Sequence, residues 1–388
     1  MPFIYNKRDS MSTPQLKFID TRPVDKTQGP LIPLGGSQVR PPGVIGTIKA
    51  GTGVACRVST EVTRADLWEH FKCRIGSFRD DYTVSPGLYA SGNPDSNSDV
   101  LVSANYKLSF DHLRRELKGL DAWIIVLDTK GINVWCAAGK GTFGTDELVR
   151  QISFAKLDKV VDHRRIIVPQ LGAPGINAHT VRQMTGFRVH YGPVYARDIR
   201  EFVNAGYKAT RTMRTVRFNS IDRLVLTPME LNPAMKKYYP WYALAILAVF
   251  GFQPAGIIFR DAWQGGMPFL LLGLMSILAG AVLTPLLLPV VPFRSFAVKG
   301  WIVGMASLFV VSRLPLFEQS SALLLFFTYI FFPLASSYVA LQFTGSTTFT
   351  GMSGVKKELR ISLPIYLVCT VISLILLVIF KLGQWRIL

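Results

Sequence analysis

The run Ala122-Trp123-Ile124-Ile125-Val126-Leu127-Asp128 is short and apolar, and the residues after it decide how the chain is read. Four residues intervene before Asn133-Val134-Trp135-Cys136-Ala137-Ala138-Gly139-Lys140, and then comes Gly141-Thr142-Phe143-Gly144-Thr145, which opens a stretch of helical spacing. This is the pattern of a strand that leads through a loop of small residues into a helix. Cys136 has Trp on one side and Ala-Ala-Gly on the other, so a large flat ligand can come close to its sulfur.

The same alternation extends both ways. Val100 to Ala104, Arg165 to Val168, Phe187 to His190 and Arg223 to Leu226 read as further strands. Phe110 to Leu117, Thr145 to Leu157, His179 to Met184 and Ala196 to Val203 read as helices between them. Short apolar strands alternating with amphipathic helices imply βαβ units, hence an α/β, Rossmann-like domain on a parallel sheet with right-handed crossovers. Ligands of such domains bind outside the carboxyl ends of the strands. That edge should carry Asn105-Tyr106-Lys107, the loop from Thr129 to Thr145, Leu171-Gly172-Ala173-Pro174-Gly175 and Gly192-Pro193-Val194. Upstream, residues 1–60 are rich in Pro and Gly and read as an extended lead-in with little structure of its own; a short helix is expected from Ala65 to Phe71. The ligand-binding domain is placed at 61–235.

Composition changes at Lys236-Lys237-Tyr238-Tyr239-Pro240-Trp241. Lysines followed by aromatics mark entry into a membrane from the cytoplasmic side. Five apolar runs follow in residues 236–388, several near the ~20 residues that span a bilayer. They are Tyr239 to Ile258, Met267 to Val290, Phe296 to Val311, Ser321 to Gln342 and Ile361 to Lys381. Lys299 lies inside the third and should snorkel. Basic residues at Arg294, Lys299, Lys356, Lys357 and Arg360 place those loops on the side of the first domain. The expected arrangement is an all-α transmembrane domain of five helices in the inner (cytoplasmic) membrane, with the first domain in the cytoplasm. No Asp or Glu falls within the runs, which argues for an anchor rather than an ion-coupled transporter.

A net charge of +18 raises the question of nucleic acid. The basic residues are scattered or explained by membrane topology, so no nucleic-acid partner is expected. The four cysteines, Cys56, Cys73, Cys136 and Cys369, contain no C-x-x-C pair and suggest neither an iron–sulfur cluster nor a zinc site. Gly139-Lys140-Gly141-Thr142 is not a phosphate loop, because Val134 stands where the first glycine is required. For Cys136 three roles stay open on the residues alone: a buried structural cysteine, a nucleophile, or a ligand to the metal of a cofactor. A nucleophile needs a base, and no His lies nearby in sequence.

The NVWCAAGK stretch with the GTFGT after it closely resembles the corrinoid protein of the mercury-methylating system, the HgcA family. The tract around it resembles the large subunit of the corrinoid iron–sulfur protein of the acetyl-CoA pathway. The resemblance runs from roughly Arg64 to Leu231. Its other blocks are Pro86 to Tyr89, Ala104 to Lys107, Leu127 to Ile132, Pro169 to Gly175 and Tyr191 to Val194. It implies a corrinoid (cobalamin-type, cobalt) cofactor with the Cys136 thiolate as ligand below the metal. A thiolate there donates more electron density than imidazole, easing departure of a methyl group as a carbanion equivalent toward Hg(II) to give methylmercury. The family also implies a methylated folate or a methyltransferase as methyl source. Its electron donor is a ferredoxin-like protein with two iron–sulfur clusters, of the HgcB type. Asn105, Tyr106, Asn133, Val134, Trp135, Ala137, Ala138, Gly139, Lys140, Gly172, Ala173, Gly192 and Pro193 are then the candidates to line the cofactor, with Cys136. Two rival readings are a corrinoid methyl carrier for another acceptor and a transporter or sensor with a small-ligand domain.

Overall fold

The computed structural model describes residues 43–76, 78–315, 321–346, 349 and 352–387. Its α/β half is built on a seven-stranded sheet: β1 (Val44–Ala50), β2 (Gly53–Val58), β3 (Gly87–Ser91), β4 (Val100–Ala104), β5 (Ala122–Leu127), β6 (Arg165–Val168) and β7 (Arg188–Tyr191). The order across the sheet is β1-β2-β3-β5-β4-β6-β7. Around it lie α1 (Arg64–Ile75), α2 (Lys107–Glu116), α3 (Val134–Lys140), α4 (Thr145–Phe154), α5 (Ala178–Thr185) and α6 (Ile199–Asn204).

Burial explains the strands. Every residue of β4 and β5 is buried, and their side chains alternate between two cores. Trp123, Ile125 and Leu127 point to the side of α3, α4 and α5, with Ala137, Phe143 and Leu148. Ile124 and Val126 point to the side of α2 and α6, with Phe110, Leu113 and Phe202. Period-two alternation carries each neighbour to the opposite face, so a strand covered on both sides is apolar nearly throughout, with Ser103 of β4 the one polar residue in these two strands.

The expected parallel sheet is found in its central part and corrected at one side. β4 pairs in parallel with β5 and β6, and β6 with β7. β3, however, runs antiparallel to β5, and β1 antiparallel to β2. The first 42 residues of the expected lead-in lie outside the described residues. The rest of it is not structureless: β1 and β2 form a hairpin whose second strand extends the sheet alongside β3. A second correction concerns Arg223 to Leu226, expected as a strand. It lies within α7 (Ser220–Pro233), started by a capping box in which Asn219 Oδ1 accepts from Asp222 N–H. Three apolar residues after an arginine do not outweigh a helix-start signal of that kind.

α7 runs on through a π-helical turn (Ala234–Tyr238) into α8 (Tyr239–Gly251). α9 (Phe259–Leu278), α10 (Thr284–Leu286), α11 (Phe296–Val311), α12 (Ala322–Gln342) and α13 (Met352–Gln384) follow. Among the described residues three helices are long and apolar enough to cross a membrane: Phe259–Leu286, Ala322–Gln342 and Ser353–Gln384. The count of five is therefore not met. The first apolar run stops being helical at Gly251, where β8 (Phe252–Gln253) and β9 (Gly256–Ile257) turn back on each other. The third run forms a helix of 16 residues, too short by the same measure. Lys299 does not snorkel. It is buried, and its Nζ donates to the Leu288 carbonyl.

Candidate functional site at the carboxyl edge of the sheet

β4, β5, β6 and β7 all point the same way, so the loops after them share one edge. Specific contacts join these loops. Asn105, directly after β4, accepts at Oδ1 from Thr129 N–H (3.1 Å), Thr129 Oγ1–H (2.8 Å) and Gly131 N–H (3.0 Å) in the loop after β5. That loop needs the help, since Lys130 and Gly131 have φ of 57° and 70°, a left-handed pair. Farther along, Gln170 N–H donates to the Pro193 carbonyl (3.4 Å), joining the loops after β6 and β7.

Cys136 is not on a loop, as the sequence suggested, but is the third residue of α3. Asn133 is the N-cap: its Oδ1 accepts from Cys136 N–H at 3.0 Å. The same side chain turns its Nδ2–H toward Cys136 Sγ at 3.5 Å. One asparagine thus starts the helix and sets the positive end of an amide dipole against the sulfur. α3 ends at Gly141, whose φ of 83° is the left-handed C-cap that glycine supplies without strain. Residues three and four apart share a helix face, so Cys136, Gly139 and Lys140 look the same way. Cys136 is half-buried; Gly139 and Lys140 are exposed, and a Cβ on Gly139 would meet nothing within 4 Å. The opposite face, Ala137 and Ala138, is buried in the core.

α3 is held from behind by the loop after β6, a 3-10 turn from Gln170 to Gly175. Gly172 and Gly175 allow the approach. A Cβ on Gly172 would lie 2.4 Å from the Phe143 ring, and one on Gly175 would lie 2.0 Å from the Phe143 carbonyl oxygen. The glycines of this loop, placed by the sequence at the ligand edge, are therefore used for packing against the chain itself.

The candidate residues separate into two groups. Asn133, Trp135, Cys136, Gly139 and Lys140 form an accessible face, with Trp135 exposed and Val134 half-buried beside it. Asn105, Tyr106, Gly172, Gly192 and Pro193 are buried in the frame, while Ala173 is half-buried. Tyr106 is committed elsewhere: its hydroxyl shares a hydrogen bond with Cys73 Sγ (2.9 Å) on α1, and burial pushes its pKa up. Gly192 lies against Ile167, 2.9 Å from where its Cβ would be.

Sequence reasoning missed two residues at this edge. Thr142 Oγ1 and Gln170 Oε1 are buried without a hydrogen-bond partner among the described residues. Thr142 follows α3, its N–H donating to the Ala137 carbonyl, and Gln170 opens the turn packed on α3. Buried polar groups are rarely left unpaired, so these atoms fit contact with a polar ligand. Nothing in the residue types could have marked them, since their distinction is the missing partner.

A second cluster lies away from this edge, between α1 and α2. Lys107 Nζ donates to Asp111 (2.6 Å), Asp66 (2.9 Å) and Tyr82 (3.0 Å); Arg114 Nε donates to Asp111 (2.6 Å), and its Nη2 to Asp66 (3.1 Å). His70 Nε2 lies 2.8 Å from Asp111. Despite burial, hydrogen bonds to Lys107 and to backbone hold Asp66 far below the usual carboxylate range, and His70, Lys107 and Arg114 hold Asp111 down. This cluster fastens α1 to α2.

Known proteins resemble the central part of this sequence. Residues 77–203 match the family model described as CO dehydrogenase/acetyl-CoA synthase delta subunit. Among curated proteins, the acetyl-CoA decarbonylase/synthase complex subunit gamma of Methanopyrus kandleri is 31% identical over 134 residues, 34% of this chain and 29% of that protein. The subunit gamma of Archaeoglobus fulgidus is 29% identical over 113 residues, 29% of this chain and 24% of its own length. That of Methanocaldococcus jannaschii is 31% identical over 116 residues, 28% and 24% respectively. The chain spans less than a third of the length of these relatives. The relation to acetyl-CoA-pathway subunits expected from the sequence blocks holds over this central segment.

Proposed function

We propose that this chain is a membrane-anchored, corrinoid-dependent methyltransferase that passes a methyl group to Hg(II), with Cys136 as the protein ligand below cobalt. The observation that carries the reading is the Cys136 face of α3. A half-buried thiol stands on the carboxyl edge of a doubly covered sheet, with exposed Gly139 and Lys140 beside it and an amide directed at its sulfur. A corrinoid bound there would supply the carbon–metal bond from which a methyl group is passed on.

This chain's own residues have separate tasks. Cys136 presents a soft, polarizable donor, and Asn133 fixes its position by holding both its N–H and its sulfur. Trp135 walls one side, while Lys140, Thr142 Oγ1 and Gln170 Oε1 offer hydrogen bonds to the polar side chains of a corrin ring. Among the described residues no group of three His, Cys, Asp or Glu stands together as a metal site. Electrons for resetting the cofactor are assigned to a separate ferredoxin-like protein with two iron–sulfur clusters. A methylated folate or a methyltransferase is assigned as methyl source. Hg(II) as acceptor rests on the resemblance of NVWCAAGK to the mercury-methylating family, and membrane anchoring on the three long apolar helices.

The second reading, a methyl carrier for another acceptor, is favoured by the names of the relatives, subunits of acetyl-CoA decarbonylase/synthase complexes. One experiment orders the questions. The full chain in detergent is loaded with cobalamin, and its absorption spectrum is compared with that of Cys136→Ala. A thiolate-ligated spectrum lost in the variant is expected; identical spectra, or no binding by either protein, would remove the proposal. With ligation established, methylmercury formation in the presence of a methyl donor and reductant separates Hg(II) from another acceptor.

A further inference from the structure

α1 has an outer face that the α/β core leaves open. Asp66, His70 and Cys73 are turned inward, whereas Leu67, Trp68 and Phe71 are 53%, 58% and 51% exposed. Three large apolar side chains on one twelve-residue helix form a contiguous surface, since Trp68 and Phe71 stack with ring centroids 5.4 Å apart. The surface is also cationic: exposed Lys72 sits 5.6 Å over the Trp68 ring, and exposed Arg64 lies one turn earlier.

The position of this face matters as much as its composition. The end of α1 is fastened to α7 just before the apolar half begins. Asn232 Nδ2 donates to the Ile75 carbonyl, and Arg79 Nη1 lies 3.2 Å from Met229 Sδ. Asn232 is only four residues before Lys236, about 6 Å of helix at 1.5 Å per residue. Trp68 is seven residues before Ile75, about 10 Å along α1 by the same rise. At that junction Lys236, Lys237 and Tyr238 are exposed, and Lys237 stands 5.4 Å over the Tyr238 ring. A lysine over an exposed aromatic ring, as on α1, thus recurs where the chain enters its apolar half, and the end of α1 is fastened just before that point.

We propose that the outer face of α1 (Leu67, Trp68, Phe71 and Lys72) lies in the headgroup layer of an anionic bilayer and holds the α/β half against the membrane. Aromatic rings with cations beside them fit that layer, where the ring meets the upper acyl chains and the ammonium meets lipid phosphate. The proposal rests on the membrane reading of the C-terminal half. A membrane, rather than a protein partner, is favoured by continuity with α7 and α8 and by the positive charge of the face.

The test uses the full chain in nanodiscs containing phosphatidylglycerol, with lipids brominated high on the acyl chain as fluorescence quenchers. Trp68 is isolated by the difference between wild type and Trp68→Phe, and Trp241, at the start of α8, by Trp241→Phe. Both components should be quenched by brominated lipid. Replacing phosphatidylglycerol by neutral lipid should reduce the Trp68 component's quenching, and Lys72→Gln should weaken its membrane contact about fivefold, the usual contribution of one basic residue at an anionic surface. A Trp241 component quenched alone, with Trp68 open to aqueous acrylamide, overturns the proposal and leaves the membrane reading standing. A Trp68 component shielded from both quenchers means that protein covers the face, and also overturns it. If neither tryptophan is quenched by brominated lipid, the proposal is overturned; the membrane reading falls with it only if Trp263, in the long apolar helix Phe259–Leu286, is also unquenched by the same difference with Trp263→Phe.

Discussion

Asn133 offers the sharpest perturbation of the candidate site, because one side chain makes two separable contacts. Its Oδ1 caps α3 through Cys136 N–H at 3.0 Å, and its Nδ2 lies 3.5 Å from Cys136 Sγ. Asn133→Ala removes both. Loss of an N-cap costs about 1 kcal/mol, and a helix of seven residues has few other hydrogen bonds to hold its first turn. Asn133→Asp keeps the cap, because aspartate caps as well as asparagine, but replaces the donor with a negative charge. At 3.5 Å a like charge disfavours the thiolate by about 1 kcal/mol even at the dielectric of water, about a fivefold drop in its population. The assays are the rate of Cys136 alkylation at fixed pH, after correction for the other three cysteines, and the absorption spectrum of the cobalamin-loaded full chain. The aspartate variant should unfold like wild type yet alkylate about five times more slowly and ligate cobalt less completely. The alanine variant should lose stability as well. If the aspartate variant alkylates and loads as wild type does, the Nδ2–sulfur contact has no chemical role and Asn133 is only a cap.

Gly139 gives a test from the ligand's side. It shares the face of Cys136 with open space above it, so Gly139→Leu should fold normally while its side chain occupies the volume over the sulfur. Cobalamin binding should fall at least tenfold with thermal stability unchanged; full binding in the variant would move the ligand off this face. The cluster of Lys107, Asp66, Asp111 and Arg114 gives a pH dependence. Both carboxylates have folded pKa values below the ordinary one, so their contribution is complete above the unfolded value of about 3.9 and is lost as pH falls through the folded values. Acid unfolding should accordingly begin below about pH 4, and Lys107→Met should shift its onset to higher pH and cost about 3–5 kcal/mol, the range for breaking a buried pair. Chemical denaturation followed across pH checks both.

The α/β half was legible because its strands satisfy the strictest requirement in the fold. β4 and β5 are covered on both faces and apolar but for Ser103, and such runs stand out against the amphipathic helices that flank them. The shared edge of the four loops followed from that. Strand direction at the other side did not, because nothing in Gly87–Ser91 says whether it runs with β5 or against it. Within the site, the sequence drew attention to Cys136 but could not tell a loop from a seven-residue helix. Cys136 sits on that helix because Asn133 caps it, and a single asparagine before an apolar tract is a common sight in loops too. Gly172 and Gly175 are placed by the sequence at the ligand edge and are used for packing on Phe143.

The apolar half shows where hydropathy and helix length part company. Tyr239 to Ile258 has the composition of a span, but Pro254 has no N–H with which to continue a helix, and Gly256 takes a φ of 115° that other residues avoid. The chain therefore turns between β8 and β9, and the helix ends at Gly251. Phe296 to Val311 is helical throughout, yet 16 residues reach only about 24 Å against a hydrocarbon core of about 30 Å. Its beginning is also tied to protein. Glu358, near the start of α13, accepts from Phe296 N–H (2.8 Å) and Ala297 N–H (3.2 Å), and Lys299 one turn on is bound to the Leu288 carbonyl. A helix start capped by an acidic side chain and a lysine turned inward is built to meet other helices at the level where they begin. One face of α11 is therefore packed, chiefly on α12, while Trp301, Phe309 and Val310 remain exposed on the other.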